Sequence, residues 1–297
     1  MLKLPIEDVH GILDHLSFDS LQKLSCVSSL FRVVVVNYLN RRKSMLFARF
    51  VDDVPAFNDL LRTTSSVVSG SLALQFILPS SSLQWPVKDM DIYTGRSQTL
   101  PVVSFLVAQG YEVSALENSA PHYTQIAIRS VITMSNGPNR IDIVVSNTRH
   151  AIRPIFQFHS TPVINYLTAD SIFSAYPKLT TNYRGLFNAL SLRDGRRSLS
   201  NMQAIAKYAY RGFDIQSTPA AWDAVDEKLH VCVGNINCLQ ETRTSEDSGC
   251  LWMSLDAERV PKKYDRLEHP VAMWQLGAVL CDGSPGPAVG PVLIMFH

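Results

Sequence analysis

The sequence predicts an α+β fold, in which a small helical module precedes a mixed sheet with flanking helices and a helical region follows it. Apolar residues recur at helical spacing through the first fifty residues, and strand and helix patterns alternate from Ser65 onward. Beyond residue 150, prolines divide the chain into short pieces. We therefore expect a helical module at 1–50, an α/β core at 51–150 and a helical C-terminal region with an irregular tail at 151–297.

Composition excludes several classes of protein. With 297 residues, 46% hydrophobic and 18% charged, the chain has the balance of a folded globular protein. A net charge of +1 gives no bulk attraction to nucleic acid or to a membrane surface. No apolar run is long enough to span a bilayer, residues 1–10 lack the pattern of a secretory signal, and the five cysteines are an odd number. These features predict a cytoplasmic or nuclear protein.

The first fifty residues predict helices. Pro5 begins a short helix from about Ile6 to Leu13, and Ser20 is a suitable N-cap for a longer one. The basic run at 41–43 suits the C-terminal end of that long helix, where we expect it to be solvated.

Apolar positions in this module carry a resemblance to a known family. They are Leu4-Pro5, Ile12-Leu13, Leu16, Leu21, Leu24, Val27-Ser28, Phe31-Arg32 and Leu39. The pattern resembles an F-box, the helical module that docks on the adaptor of cullin-type ubiquitin ligases. A plain helical hairpin that caps the next domain is the alternative, because amphipathic helices are common.

The predicted core alternates strands and helices. In order, these are a strand at 66–69, a helix at 72–78, a strand at 89–93, a helix at 100–109, and strands at 124–133 and 140–145. Pro79 and Gly110 end the two helices. The turn Asn136-Gly137-Pro138-Asn139 predicts that the last two strands form an antiparallel hairpin.

Three acids lie on these predicted strands. Asp89 and Asp91 are two residues apart, so both side chains point to one face of their strand. Asp142 interrupts an otherwise apolar strand, where a carboxylate needs a partner or a metal ion. The fourth element, Gly70-Ser71, stands between a strand and a helix and could form a phosphate cradle at the helix N-terminus. A simple N-cap serine after a tight turn is the alternative for Gly70-Ser71.

This order of elements resembles the nucleotidyltransferase (polymerase-beta-like) superfold. The resemblance implies transfer of a nucleoside monophosphate from an NTP to a hydroxyl, with the triphosphate on Gly70 and Ser71. Asp89, Asp91 and Asp142 would bind Mg²⁺ or Mn²⁺, and Asp142 would also orient or deprotonate the acceptor. The acceptor could be a protein, a small molecule or RNA. The interval between Ser71 and Asp89 is longer than the family's usual spacing.

A longer stretch, from Ser69 to about Phe213, resembles an uncharacterised family of mushroom-forming fungi whose members often carry an F-box-like start. The segments that carry this resemblance are Trp85-Pro86, 89–93, 158–165 and 175–180. It implies no established substrate, so enzymatic activity is left open. The alternatives are an inactive F-box interaction protein that serves as a ubiquitin-ligase substrate adaptor, and a nucleotide sensor.

Lesser candidates have ordinary explanations. Zinc could bind His230, Cys232, Cys238 and Cys250, with His269 or Cys281 as alternates, but the spacing matches no compact knuckle and free thiols are favoured. Arg184, Arg193, Arg196 and Arg197 could meet a triphosphate or an RNA backbone, although most such clusters are solvated. We interpret His150 and His159 as packed, hydrogen-bonded side chains rather than catalytic bases.

Overall fold

The computed structural model describes residues 4–82, 85–118, 127–188, 195–222, 238–257, 271–277 and 294–296. The chain divides into two compact units. The first comprises Met1–Ile152, Asn165–Phe173 and Trp252–His269, and the second comprises Arg153–Ile164, Ser174–Leu251 and Pro270–His297. In the part of the chain that is described, no helix has the length and apolar character needed to cross a membrane.

Four helices open the first unit: α1 (Ile6–Asp14), α2 (Phe18–Ser25), α3 (Ser29–Phe47) and α4 (Val54–Thr64). The expectation of one long helix after Ser20 is wrong, because two serines begin two separate helices. Ser17 Oγ accepts from Ser20 N–H and Ser28 Oγ accepts from Phe31 N–H, each at 3.2 Å. Ser20 therefore lies inside α2 and is not its N-cap.

The basic run at 41–43 does not end a helix in solvent, since α3 continues to Phe47. Lys43 is only 3% exposed, and its ammonium group donates to the carbonyl of Ala169. Arg42 donates to the carbonyl of Gln75 at 2.9 Å and to that of Leu78. This part of α3 is consequently fastened to the core by its cationic side chains, whose apolar stems can be buried while their donors are satisfied.

An eight-stranded mixed sheet follows. Its strands are β1 (Val67–Ser69), β2 (Asp89–Thr94), β3 (Glu112–Asn118), β4 (Ile128–Asn136), β5 (Asn139–Ser146), β6 (Asn165–Leu167), β7 (Ser171–Ser174) and β11 (Leu251–Ser254), in the order β11-β7-β6-β1-β2-β5-β4-β3. β2 and β5 are parallel, whereas β1 pairs antiparallel with β2 and β6. The helices α5 (Gly70–Ile77) and α6 (Thr99–Ala108) connect the early strands.

The predicted core elements are found close to their expected bounds. The hairpin of β4 and β5 is antiparallel and turns at Asn136–Asn139, as that sequence predicts, although residues 124–126 of the expected strand lie outside the described residues. Strand β3 was not expected. Its described side chains are exposed, so it lacks the buried alternation by which a strand is recognised.

The expected helical region at 151–297 is wrong in its described part, where eight strands, β6 to β13, occur. In the second unit these include β8 (Arg184–Leu186), β9 (Asp214–Gln216), β10 (Arg243–Thr244), β12 (Val271–Trp274) and β13 (Ile294–Phe296), beside the helices α7 (Pro177–Thr181) and α8 (Gly195–Tyr210). Most of these strands span two to four residues, which is too short for sequence periodicity to distinguish a strand from a helix. The irregular tail expected at 281–291 lies outside the described residues.

Candidate functional site

The sheet brings the three predicted acids together. In the parallel pair of β2 and β5, Asp91 is the register partner of Asp142, and Asp89 is the partner of Arg140. Neighbouring strands lie about 4.8 Å apart, and register partners in a parallel pair share a face. Asp89, Asp91 and Asp142 therefore point to one side of the sheet from two adjacent strands. The sequence predicted the face but not the register.

Gly70 lies directly against the side chain of Asp91. Its φ is +66°, and a β-carbon at this position would overlap Asp91 Oδ2 and lie 3.1 Å from Asp91 Cγ. Glycine adopts this conformation at no steric cost, and its lack of a β-carbon leaves that space empty. The group that lies against the start of α5 is thus the Asp91 carboxylate of the chain itself. Ser71 Oγ lies 3.5 Å from Asp89 Oδ1, at the outer limit of a hydrogen bond.

Arg140 supplies the positive charge of this cluster. Its Nε donates to Asp142 Oδ1 at 3.1 Å and its Nη2 to Oδ2 at 2.8 Å. The hydroxyl of Thr133 also donates to Asp142 Oδ1, at 2.7 Å. The hydrogen bonds to Asp142 raise the pKa of Arg140, with smaller contributions from the negative charges of Asp89 and Asp91. Sequence reasoning missed Arg140, although its position two residues before Asp142 placed both side chains on one face.

This arrangement tests the expected metal site. Three carboxylates on one face have the oxygen chemistry that Mg²⁺ prefers. Both oxygens of Asp142, however, accept hydrogen bonds from Arg140. Within the described ranges, no group of three or more His, Cys, Asp or Glu is placed to hold a metal ion. The donor types fit a divalent ion, but a guanidinium group stands where the ion would bind Asp142.

The N-terminal helices present a second candidate site. Six large apolar side chains between residues 4 and 33 are more than 40% exposed: Leu4, Ile6, Ile12, Val27, Leu30 and Val33. We call this set the N-terminal apolar surface. Other apolar side chains of the same helices, among them Leu13, Phe18, Leu21 and Leu39, are buried. The helices therefore contribute to the core of the first unit and still leave several large apolar side chains exposed.

Comparison with known proteins identifies this module. The F-box domain family model matches residues 1–43. No curated protein and no solved structure matches the chain. The F-box expected from the apolar pattern is thus confirmed, as is a mixed sheet following a helical N-terminal region. The resemblances to the nucleotidyltransferase superfold and to the fungal family stay predictions.

Part of the zinc prediction lies outside the described residues, namely His230, Cys232, His269 and Cys281. The two remaining cysteines, Cys238 and Cys250, are not part of a disulfide bond. Arg243 donates to the sulfur of Cys250 at 3.4 Å, and burial raises the pKa of the Cys250 thiol. Arg243 in turn lies over the rings of Tyr176 and Trp274.

The interpretation of His159 as a packed side chain is confirmed. It is 7% exposed, and its Nδ1 lies 2.8 Å from Ser160 Oγ. Burial, with a smaller contribution from Lys207, lowers the pKa of His159 to about 4. In the predicted arginine cluster, Arg184 lies over the ring of Trp222, whereas Arg193 and the side chains of Arg196 and Arg197 lie outside the described residues.

Proposed function

We propose that the chain is an F-box substrate adaptor, whose N-terminal helices bind the adaptor subunit of a cullin-type ubiquitin ligase. The observation that carries the proposal is the F-box match at residues 1–43. The N-terminal apolar surface supports it, because isolated exposed apolar residues are ordinary but six within thirty residues of one module suit a protein interface.

The remainder of the first unit would then present the target. Its helix α3 is fixed to the core by Lys43 and by Asn40, whose side-chain amide donates to the carbonyl of Leu255 at 2.7 Å. Aromatic contacts add to this attachment, since Phe18 lies 6.0 Å from Phe76 and Phe47 lies 5.1 Å from Phe57 between ring centroids. The F-box and the sheet therefore share one hydrophobic core.

The test uses exposed side chains, since deletion of residues 1–45 would remove part of that core. Ile6→Asp and Ile12→Asp place a charge on side chains that are each 53% exposed, so the fold should be retained. Purified full-length protein with either change should lose binding to the ligase adaptor in a pull-down or by calorimetry. Leu100→Asp, on a side chain 73% exposed in α6, is the matched control and should bind normally. Equal binding by all variants, or no binding by the wild type, would overturn the proposal.

The acidic cluster supports a second candidate function, transfer of a nucleoside monophosphate from an NTP to an unknown acceptor hydroxyl. What favours it is the register that places Asp91 beside Asp142, with Gly70 against Asp91. Asp89 and Asp91 would hold a divalent ion, and Asp142 would join them once Arg140 released it. A bound Mg²⁺ or Mn²⁺ would supply charge neutralisation to the phosphate oxygens.

Incubation of the full chain with radiolabelled NTPs and Mg²⁺ or Mn²⁺ tests this candidate. Wild type should give metal-dependent product or self-labelling, and Asp91→Asn should abolish it. Tight nucleotide binding without product would select a nucleotide sensor instead. Absence of both binding and product, or equal behaviour of wild type and Asp91→Asn, would eliminate the nucleotide functions and leave the F-box proposal intact.

A further inference from the structure

A pocket of about 550 Å³ lies in the first unit between α1, α3 and the segment around α5. Its walls include Gly11 and Asp14 from α1, Tyr38 and Leu46 from α3, and Gln75 from α5. This volume is within the usual range for small-molecule sites, about 300 to 1,000 Å³. The pocket is separate from the acidic cluster, because none of Asp89, Asp91 and Asp142 contributes to its lining.

Three arginines give the pocket its charge. Arg41, Arg42 and Arg49 all line it, and none forms an ion pair with a carboxylate in the described ranges. Among the described residues, Arg41 Nη1 lies 2.6 Å from His10 Nδ1, and Arg49 donates to the carbonyl of Val87 at 2.6 Å. Arg42 donates to the carbonyl oxygens of Gln75 and Leu78, as described above; desolvation lowers its pKa, and Tyr38 and Asp14 act in the opposite direction.

Two carboxylates also line the pocket, Glu7 and Asp14, so the three arginines leave an excess of one positive charge. Asp14 Oδ1 already accepts from the hydroxyl of Tyr38 at 2.7 Å. Gln75, which also lines the pocket, is only 8% exposed, and its Oε1 has no hydrogen-bond partner among the described residues. A buried acceptor of this kind is normally satisfied, which points to a donor group on an occupant.

Gly11 lines another side of the pocket, where it leaves open space. It lies in the interior of α1, where glycine weakens a helix relative to alanine. A β-carbon at Gly11 would meet no atom within 4 Å, so close packing does not explain the glycine. The missing side chain instead keeps the pocket open beside the apolar surfaces of Met45 and Leu46.

We propose that this pocket binds a small organic anion with an apolar body and an N–H or O–H group. The acid group lies among the guanidinium groups of Arg41, Arg42 and Arg49. The apolar body packs against Tyr38 and Leu46, and the donor meets Gln75 Oε1. The inference rests on these contacts and not on either proposed function.

A matched pair of fluorescent probes tests the charge preference on the full chain. The probe 1-anilinonaphthalene-8-sulfonate carries a sulfonate, two aromatic ring systems and an N–H group, and N-phenyl-1-naphthylamine lacks only the sulfonate. The sulfonate probe should bind more tightly by about tenfold or more, the effect of one charge-assisted contact. Equal affinity for the two probes would refute the anion preference.

Variants then locate the binding. Arg41→Gln combined with Arg49→Gln should weaken the sulfonate probe by about tenfold and leave the neutral probe unchanged. Gly11→Leu, which fills the open wall, should abolish binding of both probes. Arg129→Gln, on an exposed side chain of β4, is the control and should change neither. Circular dichroism verifies folding of each variant, and unchanged sulfonate binding in folded Gly11→Leu or in the double variant would overturn the proposal.

Discussion

Gly70→Ala is expected to destabilise the first unit through its contact with Asp91. Gly70 and Gly137 both have positive φ values, +66° and +55°, but their surroundings differ. A β-carbon at Gly137 would meet nothing within 4 Å, whereas one at Gly70 would collide with the Asp91 carboxylate. Gly137→Ala therefore reports the cost of the backbone conformation alone, and Gly70→Ala reports that cost plus the collision.

The magnitudes follow from these two contributions. A non-glycine residue in the left-handed region costs about 1–2 kcal/mol, which is the whole effect expected for Gly137→Ala. Overpacking at a close contact adds about 1–3 kcal/mol, so Gly70→Ala should cost about 2–5 kcal/mol. The Asp91 carboxylate lies against Gly70 at the start of α5, so relief of the collision requires movement of the β2 backbone or rotation of that carboxylate.

Urea unfolding followed by circular dichroism measures both variants, and Gly70→Ala with Asp91→Ala completes a double-mutant cycle. In the double variant the collision is absent, so the remaining cost should approach that of Gly137→Ala. Gly11→Ala is a control with an effect of opposite sign. An alanine in this open helical position should raise the free energy of unfolding by about 0.5–1 kcal/mol. If Gly70→Ala costs no more than Gly137→Ala, the contact with Asp91 does not explain the glycine.

Three further predictions concern charged groups. Arg140→Gln frees Asp142 and should raise the affinity for Mn²⁺ measured by calorimetry, whereas unchanged affinity would show that Arg140 does not compete with a metal ion. Lys43→Met leaves the Ala169 carbonyl without its donor and should lower the free energy of unfolding, measured in urea, by about 1–3 kcal/mol. A change of about zero would show that this hydrogen bond does not stabilise the fold. The pKa of His159 is lowered from 6.5 to about 4. As the pH falls from about 6.5 to 4, His159 is protonated in the unfolded chain but stays neutral in the folded chain. The free energy of unfolding should therefore decrease over this range by up to about 3 kcal/mol. His159→Gln should remove that dependence, and an identical pH profile for this variant would contradict it.

The sequence predicted the individual elements of the site better than their environment. Alternation along β2 placed Asp89 and Asp91 on one face, and the turn at Asn136–Asn139 defined the hairpin that carries Asp142. The parallel pairing of β2 with β5, which sets Asp91 beside Asp142, depends on the α6 crossover and the intervening β4 hairpin rather than on either strand's own sequence. The counter-ion Arg140 was not predicted, although it stands two residues before Asp142 on the same strand.

The C-terminal half was predicted poorly for a related reason. Strands such as β6 and β7 are three and four residues long and fully buried, so they show neither alternation nor helical periodicity. Strand β6 pairs with β1, which lies about a hundred residues earlier in the chain, with Val68 opposite Leu167. Such pairing depends on long-range packing, which a local sequence pattern does not encode.

The attachment of α3 to the sheet means that the F-box match and the folding unit have different boundaries. The F-box match ends at residue 43, but α3 continues to Phe47, and its Lys43 and Arg42 are hydrogen-bonded to parts of the core. A fragment cut at residue 43 would end in the middle of a helix and lose the ring contact of Phe47 with Phe57. This F-box therefore cannot be transferred to another protein as an independent module. An adaptor bound to it would hold the sheet through a rigid connection and not through a flexible linker.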